Sequence, residues 1–213
     1  MVNLFSFTFN PFQENTYIIV SGNKCAIVDP GCYTREEQLE LKSFIQEKNL
    51  EAVLLLNTHC HIDHVLGNAF VCREYGIIPL LHVDDLKQLK SVSSYAHLYG
   101  FDGYEISPEP QQFIKHGDKI NIGELELEVR HVPGHAPGHI VFISHTEKWI
   151  INGDSLFNGS IGRTDLPGGN HDQLLRSIKS ELYSLPDDYT VYCGHGPETT
   201  IGWEKENNPF VRG

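Results

Sequence analysis

The sequence predicts an α/β protein in which two β-sheets pack face to face, with helices on their outer surfaces. Three observations predict it. Short apolar or alternating runs recur along the chain, bounded by Gly, Pro, Asn and Asp. Runs of strands with helices occur twice in succession. Each of the two ends in turns rich in histidine, aspartate and glycine. Sheets stacked with their helices outside would bring those turns to one edge.

The elements follow in order. Residues 5–9, 16–20 and 24–28 read as early strands, turned by Asn10-Pro11 and by Ser21-Gly22-Asn23, and Asp29-Pro30-Gly31 stops the third. Thr34 before Arg-Glu-Glu is an N-cap for a helix reaching about residue 47. The apolar run 51–56 is a buried strand. Beyond the histidine-rich turn, helical spacing predicts a helix over 65–75, then a strand over 77–82 and a short helix over 84–90. Residues 91–110 read as a long aromatic-bearing loop, either one that walls a substrate pocket or a surface excursion with helical turns in it. Alternation over 119–131, turned at Gly123, predicts a hairpin with one wet face. Strands over 139–144 and 148–152, a helix over 172–182 and a last strand over 190–193 complete the order. Nothing marks a linker, so the chain is read as one domain over 1–213.

Composition narrows the class of function. Hydrophobic residues make up 40% and charged residues 21%, which excludes a disordered chain. No window offers the ~18 consecutive apolar residues of a membrane span. The start Met-Val-Asn-Leu-Phe lacks the basic residues and cleavage site of a secretory signal, so a cytoplasmic location is expected. Five cysteines, an odd number without CxxC spacing, read as reduced and buried thiols. A net charge of −12 without a basic run opposes nucleic-acid binding, and with it a nuclease.

The chemistry lies in four clusters. Residues 58–64 read Thr-His-Cys-His-Ile-Asp-His. Side chains two apart on an extended chain share a side, so His59 and His61 converge while Cys60 points away. Asp63 and His64 follow where the chain turns into a helix. His135 stands in His-Val-Pro-Gly-His, Asp154 in Ile-Asn-Gly-Asp and His195 in Cys-Gly-His-Gly-Pro. Together these are seven nitrogen or oxygen donors, enough for two adjacent divalent metals. A closed structural zinc takes fewer ligands and more cysteine. Imidazole and carboxylate suit zinc, iron or manganese.

These residues, with Ile-Val-Asp-Pro-Gly at 27–31, resemble the metallo-β-lactamase superfamily over nearly the full chain. The fold this implies is the αβ/βα sandwich, two mixed sheets with helices on both outer faces. Gly-Asp-Ser-Leu-Phe at 153–157, Gly-Arg-Thr-Asp at 162–165 and Gly-His-Gly-Pro-Glu-Thr-Thr-Ile at 194–201 look most like its glyoxalase II group, the hydroxyacylglutathione hydrolases. The resemblance implies that His59, His61 and His135 hold one metal. It implies that Asp63, His64 and His195 hold the other, with Asp154 bridging, zinc the first choice and iron or manganese the alternatives. Asp29 and His139 would act behind the ligands. The group's helical C-terminal domain, which helps to grip glutathione, has no counterpart in the short tail after His195, which implies weak binding of that carrier. Arg163 and Asp165 stand where the group has a lysine and a tyrosine.

The implied chemistry is hydrolysis. A water between two cations about 3.5–4 Å apart loses its proton near neutrality. Asp63 could shuttle that proton. A thiol leaves as thiolate with little acid assistance, since its free pKa is about 8.5. The expected substrate is therefore a small acyl thioester such as S-lactoylglutathione, and Arg163 is the candidate to meet a substrate carboxylate. The alternatives are a persulfide dioxygenase with a single iron, and a lactonase or β-lactamase.

Overall fold

The computed structural model describes residues 2–213. The first sheet contains β1 (Val2–Phe9), β2 (Glu14–Ser21), β3 (Lys24–Val28), β4 (Glu51–Leu56) and β5 (Pro79–Leu80), in that spatial order. The first three are antiparallel and the last three parallel, so the sheet is mixed. Helix α1 (Arg35–Glu47) makes the crossover from β3 to β4. Its start is the predicted one. Thr34 accepts from the Glu37 amide at 3.2 Å and the Glu37 carboxylate accepts from the Thr34 amide at 2.8 Å. Such a cap contributes about 1 kcal/mol. Leu41 and Ile45 on its inner face are buried with Ile18, Val20, Ile27 and Leu55.

After β4 the chain forms α2 (Ile62–Val65) and α3 (Asn68–Tyr75) in place of one predicted helix. The break falls at Gly67, whose amide donates to the Pro30 carbonyl at 2.7 Å. The strand expected over 77–82 shrinks to two residues, because Pro79 offers no amide to the ladder and β5 lies at the sheet edge. The expected loop over 91–110 is partly helical: α4 (Leu86–Tyr95) runs on into a 3₁₀ turn over Ala96–Tyr99. Leu89, Val92 and Ala96 supply its buried stripe, which the serines between them obscure in the sequence.

The second sheet is built from β6 (Lys119–Ile122), β7 (Leu125–His131), β8 (Ile140–Ser144) and β9 (Trp149–Gly153). A small separate hairpin, β10 (Leu156–Phe157) with β11 (Ser160–Ile161), follows them. Then come α5 (His171–Ser177), extended by a π-helical turn to Leu182, and β12 (Thr190–Cys193), β13 (Thr199–Thr200) and α6 (Ile201–Asn207). The sheet order is β13-β12-β9-β8-β7-β6, with β12 parallel to β9. The β6–β7 hairpin has the predicted register: Ile120 faces Leu127 and both are buried, while Lys119 pairs with Glu126 in solvent at 2.6 Å.

The inner faces of the sheets meet in one cluster that includes Ile19, Val28, Leu56, Leu127, Phe142 and Ile151. The outer face of the second sheet, with Val141, Ile143 and Ile150, buries Leu174 and Ile178 of the α5 segment and Ile201 of α6. The four layers expected from the sequence are thus present. Among the described residues no helix is long and apolar enough to cross a membrane.

Candidate metal centre and its cavity

All seven sequence-derived donors meet at one edge of the sandwich. Four lie just past β4. The chain bends at Thr58, and beyond the bend His59 and His61 both reach His135 while Cys60 is buried with Ile62, Val65, Leu81 and Leu89. Burial pushes the Cys60 thiol well above its ordinary range, as expected of an inert core residue. His61 keeps extended dihedrals (φ −66°, ψ 151°) at the mouth of α2, which carries Asp63 and His64. From the second sheet, His135 stands in the turn after β7, Asp154 directly after β9 and His195 just beyond β12. Since β9 and β12 are parallel neighbours, Asp154 and His195 emerge side by side. Strand β2 ties the first sheet to this point. Asn15 Nδ2 donates to the carbonyls of Cys193 at 3.1 Å and Gly196 at 2.9 Å, and the Tyr17 hydroxyl donates to Cys193 at 2.6 Å.

Two three-residue groups result. In the first, His135 Nε2 lies 2.8 Å from His61 Nδ1 and 3.2 Å from His59 Nε2. In the second, Asp63 Oδ2 lies 3.1 Å from His195 Nε2 and 3.6 Å from His64 Nε2. Asp154 stands between them. Its Oδ2 is 3.6 Å from His135 Nε2 and 3.5 Å from His195 Nε2, and its Oδ1 is 3.4 Å from His64 Nε2.

The opposite ring nitrogens are anchored, which aims the inner ones. A carbonyl or carboxylate only accepts, so the nitrogen facing it must donate. His135 Nδ1 donates to the Arg163 carbonyl at 2.7 Å, and His195 Nδ1 to those of Phe12 and Gln13 at 3.1 and 3.2 Å. His64 Nδ1 donates to Asp29 Oδ2 at 3.1 Å. The Thr58 hydroxyl gives its proton to Asp29 at 2.5 Å and so accepts from His59 Nδ1 at 3.0 Å. Four imidazoles therefore turn Nε2 inward by way of fixed partners. The Asp154 amide is held in turn by His139 Nε2 at 3.0 Å, the supporting place expected of that histidine.

The electrostatics of the two groups differ. Burial holds His59 well below the usual imidazole range, pushes His61 down to about 3 and lowers His135, which keeps their lone pairs free. Burial also opposes charge on His64 and His195, but Asp154 and Asp63 outweigh it and push His195 up to about 10. The same contacts hold Asp154 well below the carboxylate range despite burial. His64 Nε2 and Asp154 Oδ1 are buried with no hydrogen-bond partner of their own. Converging lone pairs beside unpartnered carboxylate oxygen are what divalent cations require, so the residues fit the metals. Gly194 leaves the room: a Cβ there would overlap Asp154 Oδ1 and come within 2.8 Å of His64 Cε1.

Asp29 carries the support of both His59 and His64, and it does so from a left-handed backbone (φ 48°) that asparagine also adopts. Asp29→Asn keeps the shape and removes the charge. Metal affinity should fall roughly 10–100-fold, as when other partners behind metal ligands are lost. Competition against a chromophoric chelator measures this, and an unchanged affinity would show that the Asp29 charge contributes nothing.

A cavity of about 950 Å³ opens over the centre. His61, Asp63, His135, Asp154 and His195 form its floor, and Arg163 lies on its wall. The Arg163 guanidinium is already held bidentately by Asp165, with both bonds 2.8 Å, and both side chains are mostly exposed. Residues 91–99 do reach the cavity, through Ser91, Tyr95, Leu98 and Tyr99. Phe12 and Lys87 join them without having been singled out in the sequence. The spacing of Lys87, Ser91 and Tyr95, four apart on one helix, was the available signal.

The model of the metallo-beta-lactamase superfamily matches residues 9–195, a span that closes on His195. A probable metallo-hydrolase of Bacillus subtilis, YqgX, is 38% identical over 207 residues, covering 95% of this chain and 94% of the relative. Hydroxyacylglutathione hydrolase GloC of Haemophilus influenzae is 37% identical over 202 residues, covering 94% of this chain and 93% of the relative. Among solved structures, the BLEG-1 B3 metallo-beta-lactamase superposes with a TM-score of 0.89 at 32% identity, covering 99% of this chain and all of that one. TTHA1623 in a di-iron-bound form gives 0.87 at 35% identity, covering 97% of this chain and all of that one. With the four layers and the edge-lying His/Asp groups already in place, these matches make the chain a metal-dependent hydrolase that belongs to the metallo-beta-lactamase superfamily.

Proposed function

We propose that the protein is a binuclear hydrolase of acyl thioesters, built as one domain over 1–213 and acting on S-lactoylglutathione or a related thioester. The observation that carries the reading is the position of Asp154, within 4 Å of members of both three-residue groups. His59, His61 and His135 would hold one ion, Asp63, His64 and His195 the other, and Asp154 both. Zinc is the first choice, with iron and manganese suited by the same donors. The di-iron form of TTHA1623 supports two occupied positions on this fold. When bound, such ions polarise a carbonyl and lower the pKa of a shared water.

The chain's own groups do the rest. Asp63 directs Oδ2 at His195 and His64, which leaves Oδ1 to take the proton of the attacking water. The four anchored imidazoles hold the centre rigid while charge develops on the substrate oxygen. Departure as thiolate requires no strong acid, and burial pushes the Tyr95 phenol above its ordinary range, so it is a poor proton donor. An amide nitrogen would need such a donor. Arg163 flanks the cavity, and a substrate carboxylate that pairs with it must compete with Asp165. The relative named hydroxyacylglutathione hydrolase is matched over 93% of its own length, which supports glutathione thioesters as substrates for a chain of this extent.

The test is a substrate panel on metal-loaded protein: S-lactoylglutathione, simple acyl thioesters, a lactone, a β-lactam and a persulfide with oxygen uptake followed. Thioester turnover that needs close to two metals per chain is the expected result. One tightly held iron with persulfide-dependent oxygen uptake would overturn it, and preference for the β-lactam would transfer the chain to the activity named for BLEG-1.

A further inference from the structure

Much of the rest of the cavity wall belongs to α4 and the turn that follows it. One face of this helix, Leu89 and Val92 with Ala96 beyond, is buried in the core. Another presents Lys87, Ser91 and Tyr95 to the cavity, followed by Leu98 and Tyr99 from the 3₁₀ turn. The wall is graded along its length: an ammonium and a hydroxyl at the start, aromatic and aliphatic groups at the end. Eight residues of helix separate Lys87 from Tyr95, or about 12 Å at 1.5 Å per residue.

The two ends differ in what they lack. Among the described residues Lys87 makes no ion pair and no side-chain hydrogen bond, unlike Arg163, which Asp165 occupies. Asp84, one turn before it, also lines the cavity and lies 3.6 Å from His82, an imidazole that burial keeps neutral and that accepts from the Asp84 amide. Lys87 shares the cavity with the carboxylates of Asp63, Asp84 and Asp154 but bonds to none of them, so its ammonium is left to meet an anion from outside. At the other end, Leu98 is 73% exposed, Tyr99 52% and Phe12 41%. The Phe12 and Tyr99 rings meet edge-on at 5.8 Å, and Phe157 stands 6.2 Å from the His195 ring, so this apolar surface borders the second group. Such area is favourable to cover.

We propose that the substrate is an amphiphilic thioester, with an anionic group held by Lys87 and an apolar group laid on Phe12, Leu98 and Tyr99, on opposite sides of the scissile carbonyl. Lys87 is then the specificity-determining cation of the cavity, ahead of Arg163. The inference rests on the hydrolase reading for its scissile bond but not for its binding contacts.

The experiment uses the full-length, metal-loaded protein. Hexanoyl thioesters of 3-mercaptopropionate and of N-acetylcysteamine differ in the charge of the thiol. A succinyl thioester of butanethiol places the anion on the acyl side. Lys87→Gln should lower the ratio of kcat/KM for anionic over neutral substrate roughly tenfold, as for loss of a hydrogen bond to a charged group. Lys87→Arg should restore it, and Arg163→Ala should change it less than Lys87→Gln does. Whichever anionic probe responds shows on which side the charge lies. Tyr99→Ala should flatten the gain from acetyl to hexanoyl, about fourfold per methylene in the wild type. Calorimetric binding of the uncleavable thioether S-hexyl-3-mercaptopropionate gives the same comparison without turnover. A thioether that binds with the Lys87 dependence while no thioester is cleaved would refute the thioesterase reading and uphold only the binding contacts assigned to Lys87, Phe12, Leu98 and Tyr99. An unchanged anionic preference in Lys87→Gln, by both rate and binding, would overturn it.

Discussion

Asp154→Asn is expected to deplete both metal positions and to lower turnover by well over the ~100-fold that loss of a partner behind a ligand costs. The reason lies in its two oxygens. Oδ1 faces His64 while Oδ2 faces both His135 and His195, so one carboxylate serves both groups. An amide has a single acceptor oxygen, no charge, and two hydrogens that would point at one of the cations. His195→Ala, by contrast, removes a donor from the second group alone and should deplete one position. Elemental analysis of the two purified variants, with circular dichroism to confirm folding, separates these outcomes. Equal depletion of both metals in both variants would contradict the shared role of Asp154.

Gly194→Ala should be nearly as damaging, although it adds one methyl and removes no donor. The new Cβ would overlap Asp154 Oδ1 and approach the Gly153 carbonyl carbon at 3.1 Å, between two parallel strands that cannot separate freely. Asp154 must then swing away from His64. The informative control is Gly196→Ala, two residues on. Gly196 has φ +69° and open space around its Cα, so alanine there meets only backbone strain of roughly 1–2 kcal/mol. The control should melt at a lower temperature yet keep its metals, whereas Gly194→Ala should lose them. Full metal content in Gly194→Ala would show that the strands yield more easily than their pairing implies.

The donors were legible in the sequence because each stands within a residue or a short turn of a strand end. Alternation alone placed His59 and His61 together and sent Cys60 to the core, and the Thr34 cap and the 119–131 register were as local. What the sequence hid was set by distant contacts. Phe12 enters the cavity only because β1 and β2 run beside the loop that carries His195, whose Nδ1 donates to the Phe12 carbonyl. The 91–99 segment read as loop because a serine-rich stretch has weak helical propensity, and packing of Val92 and Ala96 against Leu81 and Cys60 overrides it. The Arg163–Asp165 pair spans two residues, yet its fork geometry depends on how the turn after β11 is bent.

One property of the centre follows from its distribution along the chain. Each three-residue group takes two members from the first sheet's half and one from the second: His59 and His61 with His135, Asp63 and His64 with His195. Neither of these two groups is complete within one half, although Asp29, His59 and His64 of the first half also lie together. On the proposed assignment the centre would be a proofreader of assembly, silent until the two sheets have docked through β2 and the 193–196 loop. Once docked, mass action works in reverse. An ion that binds only the assembled form stabilises it by about 4 kcal/mol at a thousandfold excess over its Kd. On that assignment the chain would not begin hydrolysis before it has finished folding, and the ions that make it active would also keep it folded.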